Sequence, residues 1–138
     1  MRADRPQPLP DELTARFWEA AREHRLEIQR CARCRRWNHV PTLLCPSCGS
    51  SELGFEPVSG RASLYSWTVI HDSPAPGFAD MLPLIVGLVE LEEQERLLLA
   101  SNIIGASSEL LRLGLPMEVT FEHFAGELAL PQFRPATR

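Results

Sequence analysis

Four cysteines in two closely spaced pairs are the feature that most constrains this sequence. The pairs are Cys31-x-x-Cys34 and Cys45-x-x-Cys48, and ten residues separate them. Each pair turns tightly enough to aim two sulfurs at one point, and a hairpin in the intervening residues brings the two points together. The result is a tetrahedral four-sulfur site, which zinc occupies readily because its filled d shell imposes no other geometry. The four cysteines are therefore predicted to bind one zinc ion.

Three other uses of the cysteine pairs compete with zinc. Two disulfides need an oxidising compartment, and nothing in the sequence targets the chain to one. A thioredoxin-like redox motif needs a C-x-x-C at a helix N-terminus within βαβ units, and that pattern is missing. Iron also accepts four sulfurs, so an iron site of the rubredoxin type stays open. With four protein ligands no position remains for water or substrate, so the metal is predicted to be structural.

The composition is that of an ordinary globular protein with an acidic balance. The 138 residues fit one compact unit or two small modules that share an interface. The net charge of −4 and the pI of about 5.6 oppose a generic nucleic-acid binder, for which a pI above about 9 is expected. No apolar run approaches the ~20 residues that span a bilayer, and the N-terminus has no apolar signal segment. The chain is therefore expected to be cytoplasmic, with no membrane contact.

An arm and an amphipathic helix are predicted at the N-terminal end. Three prolines within residues 1–10 indicate an extended arm. Asp11 is expected to cap a helix that runs to about His24, with Phe17 on an apolar stripe and Trp18 beside it. The stripe either packs on the rest of the chain or docks a partner subunit. Phe17 and Trp18 are therefore the candidate partner-interface residues.

Beyond the metal module the pattern becomes all-β. Five strands are expected, with one brief helical turn at 107–111 between the third and the fourth, and the last two meet around Gly126. Tyr65, Trp67 and Val69 are expected on one face of the first strand. The five predicted strands span 63–71, 84–92, 96–104, 117–124 and 127–133. This order is typical of a small OB-type barrel, with an SH3-like or sandwich arrangement as the competitor.

The predicted fold class is therefore mainly β with an N-terminal helix, in which a zinc ribbon precedes a five-stranded OB-fold barrel. The expected division of the chain is 1–25 for the arm and helix, 26–57 for the ribbon and 58–138 for the barrel.

Two surfaces of the predicted fold have a possible binding role. The loop 72–83 joins the first two barrel strands, where OB folds often bind ligands, and it carries Phe78 and Met81. These apolar side chains either pack back onto the barrel or meet a ligand. The second surface is a group of arginines around the first cysteine pair, which is either a solvated face or an anion site. Its members are Arg22, Arg25, Arg30, Arg33, Arg35 and Arg36.

No catalytic centre is apparent in the sequence. It contains no phosphate-binding glycine loop, no dinucleotide fingerprint and no G-x-S-x-G nucleophile turn. All cysteines are assigned to the metal, and the four histidines are scattered without a paired nucleophile. His39 lies in the ribbon loop, where it is either a substitute ligand or a surface residue. The protein is therefore expected not to be an enzyme.

An ordered series of short motifs resembles a known family of zinc-ribbon/OB-fold proteins, long catalogued as a domain of unknown function. The likeness covers nearly the whole chain. Its motifs are Phe17-Trp18-Glu19, Leu26-x-Ile-Gln-Arg-Cys31-x-x-Cys34, Cys45-Pro-Ser-Cys48-Gly-Ser50, Val58-Ser-Gly60, Pro83-Leu-Ile-Val-Gly-Leu-Val-Glu-Leu91, Leu113-Gly114-x-Pro116-Met-Glu-Val119 and Leu130-Pro-Gln-Phe-Arg-Pro135.

The resemblance implies a rubredoxin-like ribbon and an OB barrel, with the four cysteines as zinc ligands. It also implies a function, as a non-catalytic accessory or scaffold subunit in lipid, steroid or related acyl-CoA metabolism. Such a subunit binds acyl-CoA and forms a hetero-oligomer with a thiolase-fold or hot-dog-fold enoyl-CoA hydratase partner. The alternative is a zinc-ribbon/OB-fold nucleic-acid-binding module that stacks bases on Tyr65 and Trp67. One departure is visible: many relatives have glycine where this chain has Arg35, so a turn that favours positive φ is expected to be strained.

Overall fold

The computed structural model describes residues 5–124 and 128–137. Within them the chain forms one α-helix, eight strands and two short 3-10 turns. The helix is α1 (Ala15–Arg22), and the 3-10 turns are Ala79–Met81 and Ser108–Leu110. The strands are β1 (Glu27–Cys31), β2 (Trp37–Asn38), β3 (Leu53–Pro57), β4 (Arg61–Ile70), β5 (Leu84–Leu91), β6 (Leu98–Asn102), β7 (Pro116–His123) and β8 (Ala129–Pro135). The predicted mainly-β fold class with one N-terminal helix is confirmed.

The helix is shorter than the sequence pattern predicts. Asp11 does not cap α1 directly but organises the turn before it. The Thr14 backbone N–H donates to Asp11 Oδ1 at 2.9 Å, and the Asp11 N–H donates to Thr14 Oγ1 at 3.0 Å. Helical residues then begin at Ala15 and end at Arg22, because the chain reaches a positive φ of 61° at His24. The side chains of Phe17, Ala20 and Ala21 face the core.

The ribbon is a small antiparallel sheet in which β1 is the central strand. The strand order is β2–β1–β3. Arg30 pairs with Trp37 on β2, and Cys31 pairs with Leu53 on β3. The loop between β2 and β3 carries the second cysteine pair back toward the first. The hairpin expected between the two cysteine pairs is not formed there: residues 35–44 contain only β2, which pairs back with β1 around the first pair. The third strand, β3, pairs with the other side of β1 and leads into the barrel.

The barrel is a five-stranded sheet in the order β6–β5–β4–β7–β8. Its two ends meet where Ile103 pairs with Phe133 in parallel, and the Ile104 N–H donates to the Phe133 carbonyl at 2.9 Å. This nearly closes the sheet, so the OB arrangement is present and not the SH3-like or sandwich one. The predicted helical turn between the third and fourth barrel strands is the 3-10 turn Ser108–Leu110. Gly126 and Glu127, expected where the last two strands meet, lie outside the described residues.

One prediction about β4 is wrong, and a β-bulge explains it. The register with β5 shifts between Leu64 and Ser66, so Tyr65 is an extra residue without a cross-strand partner. The residues that face the core therefore change from even-numbered to odd-numbered positions at the bulge. Leu64 is buried before it, whereas Trp67 and Val69 pack against the core after it. Tyr65 is 45% exposed. Tyr65 and Trp67 consequently do not form one aromatic face.

A single core joins the helix, the ribbon and the barrel. Phe17 from α1, Ile28 and Trp37 from the ribbon, and Met117 and Phe133 from the barrel belong to one continuous cluster of buried side chains. Burying apolar area in this way is the main stabilising contribution available to a chain of this size. Among the described residues, no helix is long and apolar enough to cross a membrane.

Candidate functional site

The four cysteine sulfurs converge on one point at the end of the ribbon. All four Sγ atoms lie within 4.8 Å of one another. The Cys31 and Cys48 sulfurs are 3.6 Å apart, as are those of Cys34 and Cys45. A tetrahedral ion with metal–sulfur bonds of about 2.3 Å requires sulfur separations of roughly 3.8 Å. A disulfide needs about 2.05 Å. The separations therefore fit a four-thiolate metal site and exclude two disulfides.

Two tight turns position the sulfurs. The Arg35 N–H donates to the Cys31 carbonyl at 3.0 Å, and the Gly49 N–H donates to the Cys45 carbonyl at 2.8 Å. Both turns end in a left-handed residue, since φ is 67° at Arg35 and 78° at Gly49. The second turn thus has the expected glycine, whereas the first places an arginine in a conformation that favours glycine. The expectation of a strained turn at Arg35 is confirmed by this φ.

The electrostatics of the quartet call for a cation. The Cys48 backbone N–H lowers the pKa of Cys45 to about 6, and the Asn38 amide, 3.9 Å from its sulfur, acts in the same direction. At Cys48 the backbone N–H of Ser50 lowers the pKa, but burial and the neighbouring thiols raise it to about 11. The thiols that ionise first therefore disfavour ionisation of the last one. A divalent ion at the centre would reverse that order by stabilising all four thiolates together.

Three arginines of the group around the first cysteine pair form ion pairs with carboxylates, namely Arg25, Arg30 and Arg35. Arg30 and Arg35 both bind Glu56, at 3.3 and 3.0 Å. Arg16 and Arg25 bind Glu27, at 2.8 and 3.3 Å, and the Glu27 side chain is only 3% exposed. These contacts match a neutralised surface better than an open anion site. The role of Glu56 is not apparent from the sequence, because it lies 26 residues beyond Arg30 and meets it only through the β1–β3 pairing.

An apolar cleft lies between the helix, the ribbon loop and the barrel. Its volume is about 240 Å³. Phe17 is 9% exposed and belongs to the core, whereas Trp18 is half-buried and lines the cleft, with the two rings in an edge-to-face contact at 5.0 Å. His39 is half-buried here, and burial lowers its pKa; it is not among the metal-binding group. The other lining residues are Thr14, Val40, Pro41, Leu99, Ala100, Leu130 and Pro131. A partner role for Phe17 and Trp18 stays a prediction.

The ribbon loop beside this cleft exposes three large apolar side chains. Val40, Leu43 and Leu44 are 68%, 77% and 57% exposed, and we call them the ribbon-loop patch. Sequence reasoning missed this patch. The available signal was the apolar run between the cysteine pairs, since a ten-residue segment between two metal-binding turns has little interior in which to bury such side chains.

The loop 72–83 packs partly back onto the barrel. Phe78 and Met81 are half-buried, and both contact the side chain of Arg5 from the N-terminal arm. The guanidinium lies 5.9 Å from the Phe78 ring centroid, and it is 3.2 Å from the Met81 sulfur. Both alternatives for this loop therefore keep some support: Phe78 and Met81 contact the chain itself, and Phe78 also lines a cavity of about 340 Å³. A ligand role for Phe78 and Met81 stays a prediction.

Two histidines that look scattered in the sequence are neighbours in the fold. The Nε2 atoms of His24 and His123 are in contact, and the His24 ring stacks on Phe121 with centroids 5.2 Å apart. The pair fastens the end of α1 to β7. Because all four thiols converge on the metal site, no cysteine is left elsewhere in the fold as a nucleophile.

Comparison with known protein families matches the chain in two adjacent segments. Residues 18–54 match the ChsH2 rubredoxin-like zinc ribbon domain, and residues 55–122 match the ChsH2 C-terminal OB-fold domain. Together the two segments contain the four cysteines, all three ribbon strands and barrel strands β4–β7 almost to the end of β7.

Individual relatives agree with these matches. The chain is 38% identical over 135 residues to a probable enoyl-CoA hydratase alpha subunit of Thermomonospora curvata, covering 98% of this chain and 41% of that protein. The chain thus spans about two fifths of that relative's length. It is 28% identical over 116 residues to a DUF35 domain-containing scaffold protein of Methanocaldococcus jannaschii, covering 82% of this chain and 79% of the relative.

A solved structure shares the fold over the whole of its length. This structure, described as an Ltp2-ChsH2(DUF35) aldolase, superimposes with a TM-score of 0.85 at 37% sequence identity, covering 95% of this chain and 100% of the other. The order of elements, the four-cysteine site and these similarities agree with one another. This chain therefore belongs to the ChsH2 (DUF35) family of proteins, which join a rubredoxin-like zinc ribbon to an OB-fold domain.

Proposed function

We propose that this protein is a non-catalytic accessory subunit in acyl-CoA metabolism, which binds acyl-CoA and a thiolase-fold or hot-dog-fold hydratase partner in a hetero-oligomer. The observation that carries the proposal is the apolar surface formed by the cleft and the ribbon-loop patch. The relatives support it by name, since they include a hydratase alpha subunit, a scaffold protein and an aldolase complex.

The metal in this proposal is one structural zinc ion. With four thiolates as ligands, zinc has no open position for substrate, so it would act through the shape of the ribbon. It would hold the loop that carries the ribbon-loop patch at a fixed place beside Trp18. Elemental analysis is expected to give about one zinc per chain. A red protein that contains iron would instead favour the rubredoxin-type alternative.

The partner surface is inferred from exposure. The three side chains of the ribbon-loop patch project from one short loop, and large apolar side chains grouped in this way mark interaction sites. Trp18 adds an aromatic ring at the adjoining cleft, and Trp is enriched among residues that dominate binding energy. Phe17 contributes indirectly, because its buried ring holds the helix in place. Trp18 and Leu43 are therefore the better residues to mutate in an interface test.

The first experiment is native co-purification with the tagged chain from its source organism, followed by mass spectrometry. We expect recovery of a thiolase-fold or hot-dog-fold enzyme. Trp18→Ala and Leu43→Ser should each reduce the recovered enzyme at least tenfold. Leu113→Ser is the matched control, because Leu113 is 72% exposed but lies in the segment between β6 and β7. Recovery of RNA without a protein partner would overturn the proposal in favour of the nucleic-acid alternative.

Crosslinking maps the contact on the recovered complex. All 14 basic residues of the chain are arginine, so amine-directed reagents have no lysine to modify. Carboxylate-directed crosslinkers are therefore the appropriate choice. Crosslinks from Glu19, on the exposed side of α1, are expected to reach the partner. Crosslinks to the partner only from Glu109, on the 3-10 turn Ser108–Leu110, would place the interface elsewhere and contradict the proposed surface.

Acyl-CoA binding is proposed at the loop 72–83, which carries Phe78 and Met81 and from which Phe78 lines a cavity of about 340 Å³. Equilibrium dialysis of the purified complex with a radiolabelled CoA thioester measures it directly. Phe78→Ala is expected to weaken binding severalfold while the complex stays assembled. Unchanged affinity in Phe78→Ala would remove this loop from the acyl-CoA site without affecting the partner proposal.

A further inference from the structure

Arg5 is a charged residue buried at the open end of the barrel, which is rare for arginine. Its side chain is only 2% exposed. The guanidinium Nη2 donates to Glu122 Oε1 at 2.8 Å, and the Gln132 amide donates to the same oxygen at 2.8 Å. Gln132 is itself 4% exposed. Glu122 lies on β7 and Gln132 on β8, so two neighbouring strands orient one carboxylate toward the arginine.

Apolar and aromatic groups complete the pocket around this ion pair. The guanidinium carbon lies 4.4 Å from the Phe124 ring centroid and 5.9 Å from that of Phe78. Arg5 Nη1 lies 3.2 Å from the Met81 sulfur. A flat, weakly hydrated cation that stacks on rings and donates to a carboxylate is a guanidinium. An ammonium ion would meet the same carboxylate but is compact, strongly hydrated and unsuited to stacking. The lining therefore selects for guanidinium chemistry.

The pocket lies at the end of the barrel where OB folds commonly bind ligands. Phe78 and Met81 come from the loop between β4 and β5, and Phe124 follows β7 in the connection to β8. In OB folds, the corresponding pair of loops contacts ligands. A cavity of about 340 Å³ beside Arg5 opens between the arm and these loops. The N-terminal arm thus lies across the ligand end of the barrel and is anchored there by Arg5.

We propose that Glu122, Gln132, Phe124, Phe78 and Met81 form a guanidinium-binding site, which the chain fills with its own Arg5 and thereby closes the loop 72–83 against the barrel. The site shares Phe78 and Met81 with the loop proposed above for acyl-CoA, but its ligand is a guanidinium group held by Glu122, so the inference goes beyond the proposed function. An arginine side chain of another polypeptide has the same chemistry as Arg5. Such an arginine would compete with Arg5 for the site and release the arm.

Chemical rescue tests the site directly. Arg5→Ala removes the guanidinium that donates to Glu122 and packs against Phe124, and it is expected to lower Tm by about 5 °C. Methylguanidinium at roughly 10 mM, well below denaturing concentrations, is expected to restore about half of that loss by occupying the vacated pocket. Methylammonium at the same concentration should restore much less. Hydrogen exchange of residues 78–82 should accelerate in Arg5→Ala and slow again with methylguanidinium.

Two double variants distinguish a binding site from general salt effects. Arg5→Ala with Glu122→Gln is expected to show no rescue, because the carboxylate is gone. Arg5→Ala with Glu118→Gln is the matched control, since Glu118 lies on the same strand and pairs with Arg134 at the surface; rescue should persist there. If Arg5→Ala fails to fold, Arg5→Gln keeps a long side chain and gives the same readout. Equal rescue by methylammonium, an equal Tm increase in the wild type, or rescue without Glu122 would overturn the proposal.

Discussion

The ribbon and the barrel stabilise themselves in different ways. In the ribbon, β3 has no buried residue. Two of the four cysteines at the end of the ribbon sheet, Cys34 and Cys48, are exposed. In the barrel, Leu64, Val89, Leu91, Met117 and Phe133 are almost completely buried. The ribbon contributes only a few side chains, such as Ile28 and Trp37, to the shared core, so a metal ion held by the four cysteines would substitute for an interior of its own. The barrel contributes most of the shared core, so it is expected to stay folded without an ion.

One side chain joins the two regions at their contact. Gln94, in the turn between β5 and β6, accepts from the Trp37 N–H at 2.9 Å through Oε1 and donates to the Trp37 carbonyl at 2.9 Å through Nε2. The Gln94 amide therefore bonds to both backbone groups of Trp37 on β2, as a residue of a neighbouring strand would. Trp37 is also part of the shared core and carries Arg30 over its ring at 4.4 Å. The two regions are therefore coupled, and variants can show how strongly.

Removing the metal should produce the largest effect and divide the molecule at this contact. A structural zinc site contributes on the order of 10 kcal/mol to folding of its domain. Cys45→Ser, or chelation of the wild type, is expected to unfold the ribbon and leave a folded barrel. Hydrogen exchange read by mass spectrometry should show loss of protection in β1–β3 and retention in β5 and β8. Ser47→Ala, in the same turn but without a ligand atom, should change neither.

Full ribbon protection in metal-free protein would show that the shared core, not the ion, holds the ribbon. Simultaneous loss of protection in β5 and β8 would show that the barrel depends on the ribbon. The first result would contradict a metal-dependent ribbon, and the second would contradict an independently stable barrel.

Deleting a barrel core side chain should be the next largest effect, and it should leave the metal in place. Phe133 is fully buried, and its backbone carbonyl closes the barrel by accepting from Ile104. Phe133→Ala is expected to reduce the free energy of unfolding by about 3–5 kcal/mol, because it leaves a large cavity. Metal content per folded chain should not change. Leu113→Ala, at a position 72% exposed, should cost less than about 0.5 kcal/mol. Loss of metal from folded Phe133→Ala would contradict two independently stabilised regions.

Breaking the Gln94 contact should have an intermediate effect that appears in both regions. Gln94→Ala removes the partner of the Trp37 N–H and of its carbonyl, which is expected to reduce the free energy of unfolding by about 1–3 kcal/mol. Gln94→Glu keeps the acceptor but loses the donor, so its effect should be smaller. Exchange should increase in β2 and in the β5–β6 turn together. Glu95→Gln, the exposed neighbour, serves as the control, and an effect confined to the barrel would mean that Gln94 does not couple the regions.

Local patterns in the sequence were sufficient for the elements that depend on local spacing. The metal quartet follows from two C-x-x-C turns, and strand-like patterns indicated five barrel strands, whereas the choice of the OB arrangement over an SH3-like or sandwich one rested on the family resemblance. Features that join distant parts of the chain could not be predicted. The Tyr65 bulge changes the phase of β4 by a single residue, which no alternation pattern indicates in advance. Arg5 meets Glu122 across 117 positions of sequence, and Gln94 meets Trp37 across 57.

The smallest expected effect compares one strained arginine in each region. Arg35 in the ribbon and Arg96 in the barrel have φ of 67° and 61°, where glycine avoids a cost of about 1 kcal/mol. Arg96→Gly keeps the backbone N–H that donates to Glu90 at 2.7 Å, so we expect a gain in stability of up to about 1 kcal/mol. Arg35→Gly relieves the same strain but loses the ion pair with Glu56, an exposed and solvent-screened interaction that offsets part of the gain.

We therefore expect Arg96→Gly to increase the free energy of unfolding more than Arg35→Gly does. Urea unfolding of the metal-loaded protein measures both changes. Arg35→Gln separates the two contributions, because it keeps the strain and removes only the charge. The Arg35 guanidinium lowers the pKa of Glu56, so the ion pair is present above the ordinary glutamate pKa and is lost as pH falls through the lowered value. At neutral pH the pair is fully formed. A larger gain from Arg35→Gly than from Arg96→Gly would mean that the metal turn stores more strain than the barrel turn, and that the ion pair does not offset it.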